Sequence, residues 1–246
     1  FTLIGGAGTG EDFRRGGAIY CDGASPLVVD CVIRNNHVSA DGGAVYCRGG
    51  GTPVFRGCTM HDNSTAAFDG GAIYCVNAEI TVEDCAIVDN RAATAGGGIL
   101  LTDAVATIRR SVITRNSCDD DGGAINASES DVLLEDNVIL GNTCADLGGG
   151  VHFEGGDLVA IGNKIEDNGA LTAGGGMHIE FATVRLDGNL VLRNLVVGDG
   201  GGLDIESSAR VHIVRNVVTG NTAGGDGGGI RVADATTYCA NNTVTE

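Results

Sequence analysis

His152 and Glu154 recur 26 residues later as His178 and Glu180, and one further step brings Asp204 and Glu206, with Arg231 following after 27. If residues at this interval share a column on a parallel sheet, they stand ~5 Å apart along the stack and ~7 Å apart along each strand. Carboxylates gathered so closely raise one another's proton affinity or favour a bound cation. Glu154, Glu180, Glu206 and His178 are therefore candidate ligands for a divalent metal. His152, His178, Asp204, Glu206 and Arg231 are candidate acid, base and positioning groups for chemistry on a sugar chain. The bland alternative is that repeats diverge by copying, which yields two adjacent His-x-Glu strings without any site, and that outward charges are simply solvated.

Other residues fall in the same phase. Tyr20, Tyr46 and Tyr74 precede the His/Asp run in its column, and such a run either stacks on sugars or stabilises the sheet by cross-strand aromatic contact. Asp119, Asp120 and Asp121 lie just before Gly122, where a turn can hold Ca²⁺, the one cofactor the sequence suggests. Cys21 with Cys31, Cys47 with Cys58, and Cys75 with Cys85 are present jointly in three repeats, while the fourth has Leu101 and Ser111 instead. Joint presence and joint absence point to a disulfide across each of those repeats, and Cys118 with Cys144 offer a fourth. Bridges would imply an oxidising, secreted or cell-surface setting. The rival is a stack of buried free thiols, since Cys is a good small core residue.

These residues are placed by a repeat. Gly-Gly pairs begin at Gly16, Gly42, Gly70, Gly96, Gly122, Gly148, Gly174, Gly200 and Gly227. A second mark, Asn36, Asn63, Asn90, Asn116, Asn142, Asn168, Asn194 and Asn221, runs in phase six or seven residues ahead of a pair. A fixed period with two phased marks means stacked structural repeats. After each pair, apolar residues alternate with others (Ile99 and Leu101, then Ile125 and Ala127), the period of a strand with one buried face. Two more apolar columns follow, through Ile108 and Leu134 and through Ile113 and Ile139. The sequence thus predicts an all-β chain: a right-handed, single-stranded parallel β-helix of about nine coils of about 26 residues, with three short strands per coil. At ~4.8 Å per coil the rod is on the order of 45 Å long. A further column, Cys31, Cys58, Cys85, Ser111, Asn137, Asn163, Asn189, Asn216 and Asn242, predicts a second interior ladder that changes from thiol to amide halfway along. The longest departure from the repeat is Ala7 to Arg15.

Composition agrees. There are 42 glycines, two prolines and no tryptophan, and 4% of residues are aromatic, which suits a narrow core of small and β-branched side chains. The net charge of −17 opposes nucleic acid and anionic membrane surfaces as partners. No apolar run reaches the ~18 residues of a membrane span. The first residues read as the middle of a coil and the last stop short of a complete motif. Residues 1–246 are therefore expected to be a single β-helix domain cut from a longer secreted protein, with open ends that invite end-to-end self-association.

The Gly-Gly-Ala-Ile strings, with Ile87-Val88-Asp89-Asn90 and Ile113-Thr114-Arg115-Asn116, resemble the GGAI and FxxN repeats of chlamydial polymorphic outer-membrane proteins, with Ile, Met or Val where those have Phe. The longer string GGAIYCDGASPLVVDCVIRNN resembles secreted right-handed parallel β-helix proteins of the pectin-lyase-like superfamily. The resemblance spans essentially the whole chain. It implies either an extracellular structural or adhesive module that meets glycans or a neighbouring cell surface, or a polysaccharide lyase, hydrolase or epimerase. The regular repeat and scattered bases favour the former, because a lyase on an acidic polymer needs a basic groove.

Overall fold

A computed structural model describes residues 1–7, 15–208 and 210–246, so most of the irregular stretch from Ala7 to Arg15 lies outside the described residues. Each coil follows one path. In the fourth, the chain leaves its Gly-Gly pair through strands Ile99–Thr102, Val105–Arg109 and Val112–Thr114 before reaching Asn116 and the next pair. Stacking the coils produces three parallel sheets of nine, nine and ten strands. The first sheet runs from Ile19–Asp22 to Ile230–Ala233, the second from Leu27–Val29 to Thr237–Ala240, and the third from Thr2–Ile4 to Thr243–Thr245. Among the described residues there is no helix, and so none long and apolar enough to cross a membrane.

The expected columns are the observed register. Ile73 lies beside Ile99 and Ile99 beside Ile125; Ile108 lies beside Leu134; Ile113 lies beside Ile139. All are buried, together with Phe55, Phe153 and Met60, in one continuous core. Full burial of each such side chain contributes about 1.5–3 kcal/mol. The structure adds a minor fourth ladder beyond the Asn corner. It runs from His37–Val38 through single bridges at Arg91, Ser117 and Thr143 to Gly169–Ala170, Leu195–Val196 and Thr222–Ala223. Ala92, Cys118, Cys144, Ala170 and Val196 form a small second core beneath it.

Both interior ladders are present. Asn142 Oδ1 accepts from the Asn116 backbone N (2.9 Å) and side-chain Nδ2 (3.0 Å), while Asn142 Nδ2 donates to Ile113 O and Asn168 Oδ1. This pattern satisfies both the corner's main chain and the buried amides, so none of these groups is left without a partner. The second ladder runs Cys58 N to Cys85 Sγ, Cys85 N to Ser111 Oγ, Ser111 N to Asn137 Oδ1, and on through Asn163 to Asn189. Just before the ladder residues, the corner is made by left-handed positions. Asp84, Asp89, Arg110 and Arg115 have φ of 53°, 54°, 47° and 52°, and Arg110 and Arg115 pair with Asp84 and Asp89 one coil back.

The Gly-Gly pair is a steric requirement. Gly174 has φ +64°, and a Cβ there would lie 2.6 Å from the Cβ of His178. A Cβ on Gly175 would lie 2.6 Å from the carbonyl oxygen of Gly201 in the next coil. The first glycine thus packs over the side chain four residues ahead, and the second packs against the neighbouring turn.

Candidate functional site

That packing changes the expected site. The outward column of the first sheet was expected to be exterior. Instead His152, His178 and Asp204 are 4%, 1% and 0% exposed. The reason is the turn itself: the glycine before each strand closes over the residue's Cβ, and the segment between the Asn corner and the glycines lies alongside. Asn126 Nδ2, in this column, reaches Asp121 O at 3.4 Å, and Arg231 Nε lies 3.6 Å from Asp199 Oδ2.

Strand register stacks Asn126, His152, His178, Asp204 and Arg231 on successive coils. The His152 and His178 rings are 5.5 Å apart and within 19° of parallel. Asp204 is held on both oxygens: His178 Nδ1 donates to Oδ2 at 3.0 Å, and Arg231 donates to Oδ1 at 2.8 Å. Burial by itself pushes the Asp204 carboxyl up, but these bonds and the two nearby bases outweigh it and hold Asp204 below the usual range. Asp204 is therefore ionised, His178 Nδ1 is the donor, and His178 Nε2 faces the other way.

There it meets Glu180 Oε1 at 3.8 Å and Glu206 Oε1 at 3.9 Å. His152 repeats the arrangement more loosely, with Nε2 3.7 Å from Glu180 Oε1 and Nδ1 4.0 Å from Asp121 Oδ2. None of these contacts is short enough to be a hydrogen bond. Both His152 nitrogens and His178 Nε2 are buried without a hydrogen-bond partner among the described residues. The donor atoms of His152, His178 and Glu180 lie within 4.8 Å of one another, as do those of His178, Asp204 and Glu206. Glu154 sits beside Glu180 in register but outside both groups. The expected patch is thus assembled, with Glu154 at its margin.

The tyrosines are stacked but not as a flat platform. Tyr20 and Tyr46 lie 5.5 Å apart and nearly parallel, while Tyr46 and Tyr74 meet edge to face at 5.4 Å. Arg48 and Arg15 cover Tyr20 and Tyr46, and Tyr46 is buried, leaving Tyr20 as the exposed member. The acidic triplet is divided. Asp119 pairs with Arg91, whereas Asp120 and Asp121 gather with Asp146. Burial pushes the Asp121 carboxyl up by more than His152 brings it down.

The disulfide expectation is corrected: all nine cysteines are free thiols. Cys21, Cys47 and Cys75 stack on one another in the first sheet, and Cys31, Cys58 and Cys85 belong to the second ladder. The sulfurs turn to main-chain carbonyls, Cys31 to Val29 O at 3.2 Å and Cys85 to Glu83 O at 3.2 Å. Cys118 and Cys144 likewise donate to Asp121 O and Leu147 O within their own coils rather than to each other. Burial pushes the Cys75, Cys118 and Cys144 thiols up to about 12. Joint presence in three repeats reflects two separate stacks that share coils.

The family described as the right-handed beta helix region matches residues 10–139 and 119–246. The chain belongs to the right-handed β-helix family. No curated protein and no solved structure matches it. Family membership fixes the hand of the solenoid and leaves its ligand open, because side chains on the faces, not the winding, set what a β-helix binds.

One surface of the β-helix escaped the sequence reading. The outward column of the second sheet changes along the rod from Thr107, Leu133 and Val159 to Arg185, His212 and Tyr238. A shallow groove follows this face, lined at one end by Val105, Thr107 and Asp131 and at the other by Arg185, Arg210 and His212, with Asp157 and Val159 common to both. His212 and the exposed Tyr238 lie 5.6 Å apart at its end. The signal was in the sequence, in the run of Arg, His and Tyr at one phase of the repeat, but only the register shows that these residues share a face.

Proposed function

We propose that this β-helix is a rigid binding and spacing module of a secreted or surface protein, and that it takes an extended polysaccharide along the second sheet. The observation that carries this is the groove, which crosses successive coils and alternates apolar residues with Asp131, Asp157 and Arg210, ending on an exposed aromatic pair. Periodic surfaces suit periodic polymers, and aromatic faces beside hydrogen-bonding groups suit sugar rings. A location outside the cell rests on the likeness of the repeats to those of surface proteins and on the acidic surface, since the thiols supply no bridges. The enzymatic alternative is the weaker one: His178 and Asp204, its best acid–base pair, are too enclosed to touch a polymer.

A glycan array read with the wild-type chain and with Tyr238→Ala and Arg210→Ala tests the proposal. Wild type is expected to bind at least one polysaccharide class, and both variants are expected to weaken that binding several-fold while the fold persists by circular dichroism. Absence of binding, or binding by both variants as tight as wild type, overturns it. Release of shortened products would favour the enzyme instead.

A further inference from the structure

We propose that His152, His178 and Glu180, with Glu206 at the open edge, form a binding site for one divalent ion of borderline softness, of the Zn²⁺ class. The site is distinct from the polysaccharide groove and does not depend on it.

Three observations converge. First, the buried imidazole nitrogens that point toward Glu180 have no partner: His152 Nε2 and His178 Nε2. A buried nitrogen left unpaired costs about 1–3 kcal/mol, so a column that keeps two of them needs a reason beyond packing. The tyrosine column at the same phase shows that this position accepts self-sufficient side chains. Second, Asp204 does for His178 what an orienting carboxylate does for a metal-bound histidine. Both its oxygens are committed, one to His178 Nδ1 and one to Arg231, so it is unavailable as a ligand and instead holds the ring with Nε2 turned toward Glu180. Asp121 stands in the corresponding place beside His152 Nδ1. Third, the donor set matches one class of ion. Two imidazoles and one or two carboxylates suit a borderline divalent cation better than Ca²⁺, which prefers oxygen alone. Glu180 and Glu206 bring two carboxylates, which match the charge of a divalent ion.

The donors must converge on the ion: the His152 and His178 nitrogens lie within 4.8 Å of one another on rings 5.5 Å apart. Zinc distances of ~2.0–2.1 Å place tetrahedral donors ~3.4 Å apart. The two edges from Glu180 to the imidazoles are 3.7 and 3.8 Å, and small rotations of Glu180 and the rings would close them. The side chains of Glu180 and Glu206, 20% and 35% exposed, give the way in.

The test uses the full chain, stripped with a chelator and titrated with Zn²⁺ and with Co²⁺ as a spectroscopic probe. One equivalent is expected, with a visible Co²⁺ band, no near-ultraviolet thiolate charge transfer, and a rise in melting temperature. Glu180→Gln and His152→Ala are expected to lose about 100-fold or more in affinity, and the orienting Asp204→Asn about 10–100-fold. Glu180 is partly exposed and its replacement isosteric, so that variant reads the site even where a buried His change unfolds the chain. The proposal is overturned by a folded wild type that binds no stoichiometric metal, by a thiolate band, by wild-type affinity in Glu180→Gln, or by loss of the metal with Asp146→Asn alone.

Discussion

At one phase of the repeat, the early coils carry Tyr20, Tyr46 and Tyr74, and the later ones carry His152, His178 and Asp204. At another phase the early coils carry Cys31, Cys58 and Cys85, and the later ones Asn137, Asn163 and Asn189. The backbone is the same in both halves, register for register. A stacked column works when each side chain satisfies its copy on the next coil. Tyrosines do so by ring contact and asparagines by amide-to-amide hydrogen bonds. The His/Asp column does not: it brings Arg231, Glu180 and Glu206 to its aid and still leaves nitrogens unpaired. The difference separates columns that exist to hold the rod together from one that asks for a further partner.

Substitutions in each column should show which ones hold the rod together. The Asn corner is common to both halves, so Asn142→Ala should have the largest effect. It leaves the Asn116 backbone N–H without its acceptor and takes one donor each from Ile113 O and Asn168 Oδ1, and about 3–4 kcal/mol of loss in urea unfolding is expected. An unchanged midpoint would mean that the ladder is ornamental. The second ladder should distinguish the halves: Asn163→Ala is expected to cost about 2–3 kcal/mol, and Cys85→Ala about 1 kcal/mol, because the thiol that accepts from Cys58 N is the weaker acceptor. Equal costs would erase the contrast between thiol and amide.

Corner ion pairs occur in both halves and should respond to acid alike. Burial pushes Glu83 up, but hydrogen bonds from Arg56, Arg109 and Arg110 outweigh it and hold it below the ordinary range. Arg185 first, against burial and with Arg215, holds Asp187 low as well. A carboxyl depressed in the folded state stabilises it fully above its unfolded pKa, ~3.9 for Asp and ~4.3 for Glu, and that contribution is lost as the pH falls below those values. Thermal stability should therefore fall below about pH 4.5, and less steeply in Glu83→Gln and Asp187→Asn. A wild-type slope in both variants would place the acid sensitivity elsewhere. The smallest effect concerns thiols: in the native protein only the exposed Cys239 is expected to react quickly with a disulfide reagent, and the other eight only after unfolding. Rapid reaction of Cys58 or Cys75 would contradict the closed core.

Much of the fold was legible because a parallel solenoid writes its register into the sequence. Ile99, Ile125 and Val151 recur at one phase since each must meet its neighbour on the next coil, and Asn90, Asn116 and Asn142 since each accepts from the one before. The site was legible only as a column. Its membership could be read, but not the burial of His178, the two-sided hold on Asp204, or the approach of Asp121 to His152. The cysteines misled because coincidence within a coil resembles pairing, whereas the contacts run between coils.

Period and residue type by themselves determined the winding, the strand phases and both ladders, because these depend on neighbours one coil away at a constant sequence interval. Which faces are open follows from the folded packing alone. The turn after the Asn corner folds back so that Gly174 and Gly200 close over His178 and Asp204. Whether a side chain standing away from the core meets water or main chain depends on that fold-back, which the period of the repeat does not encode.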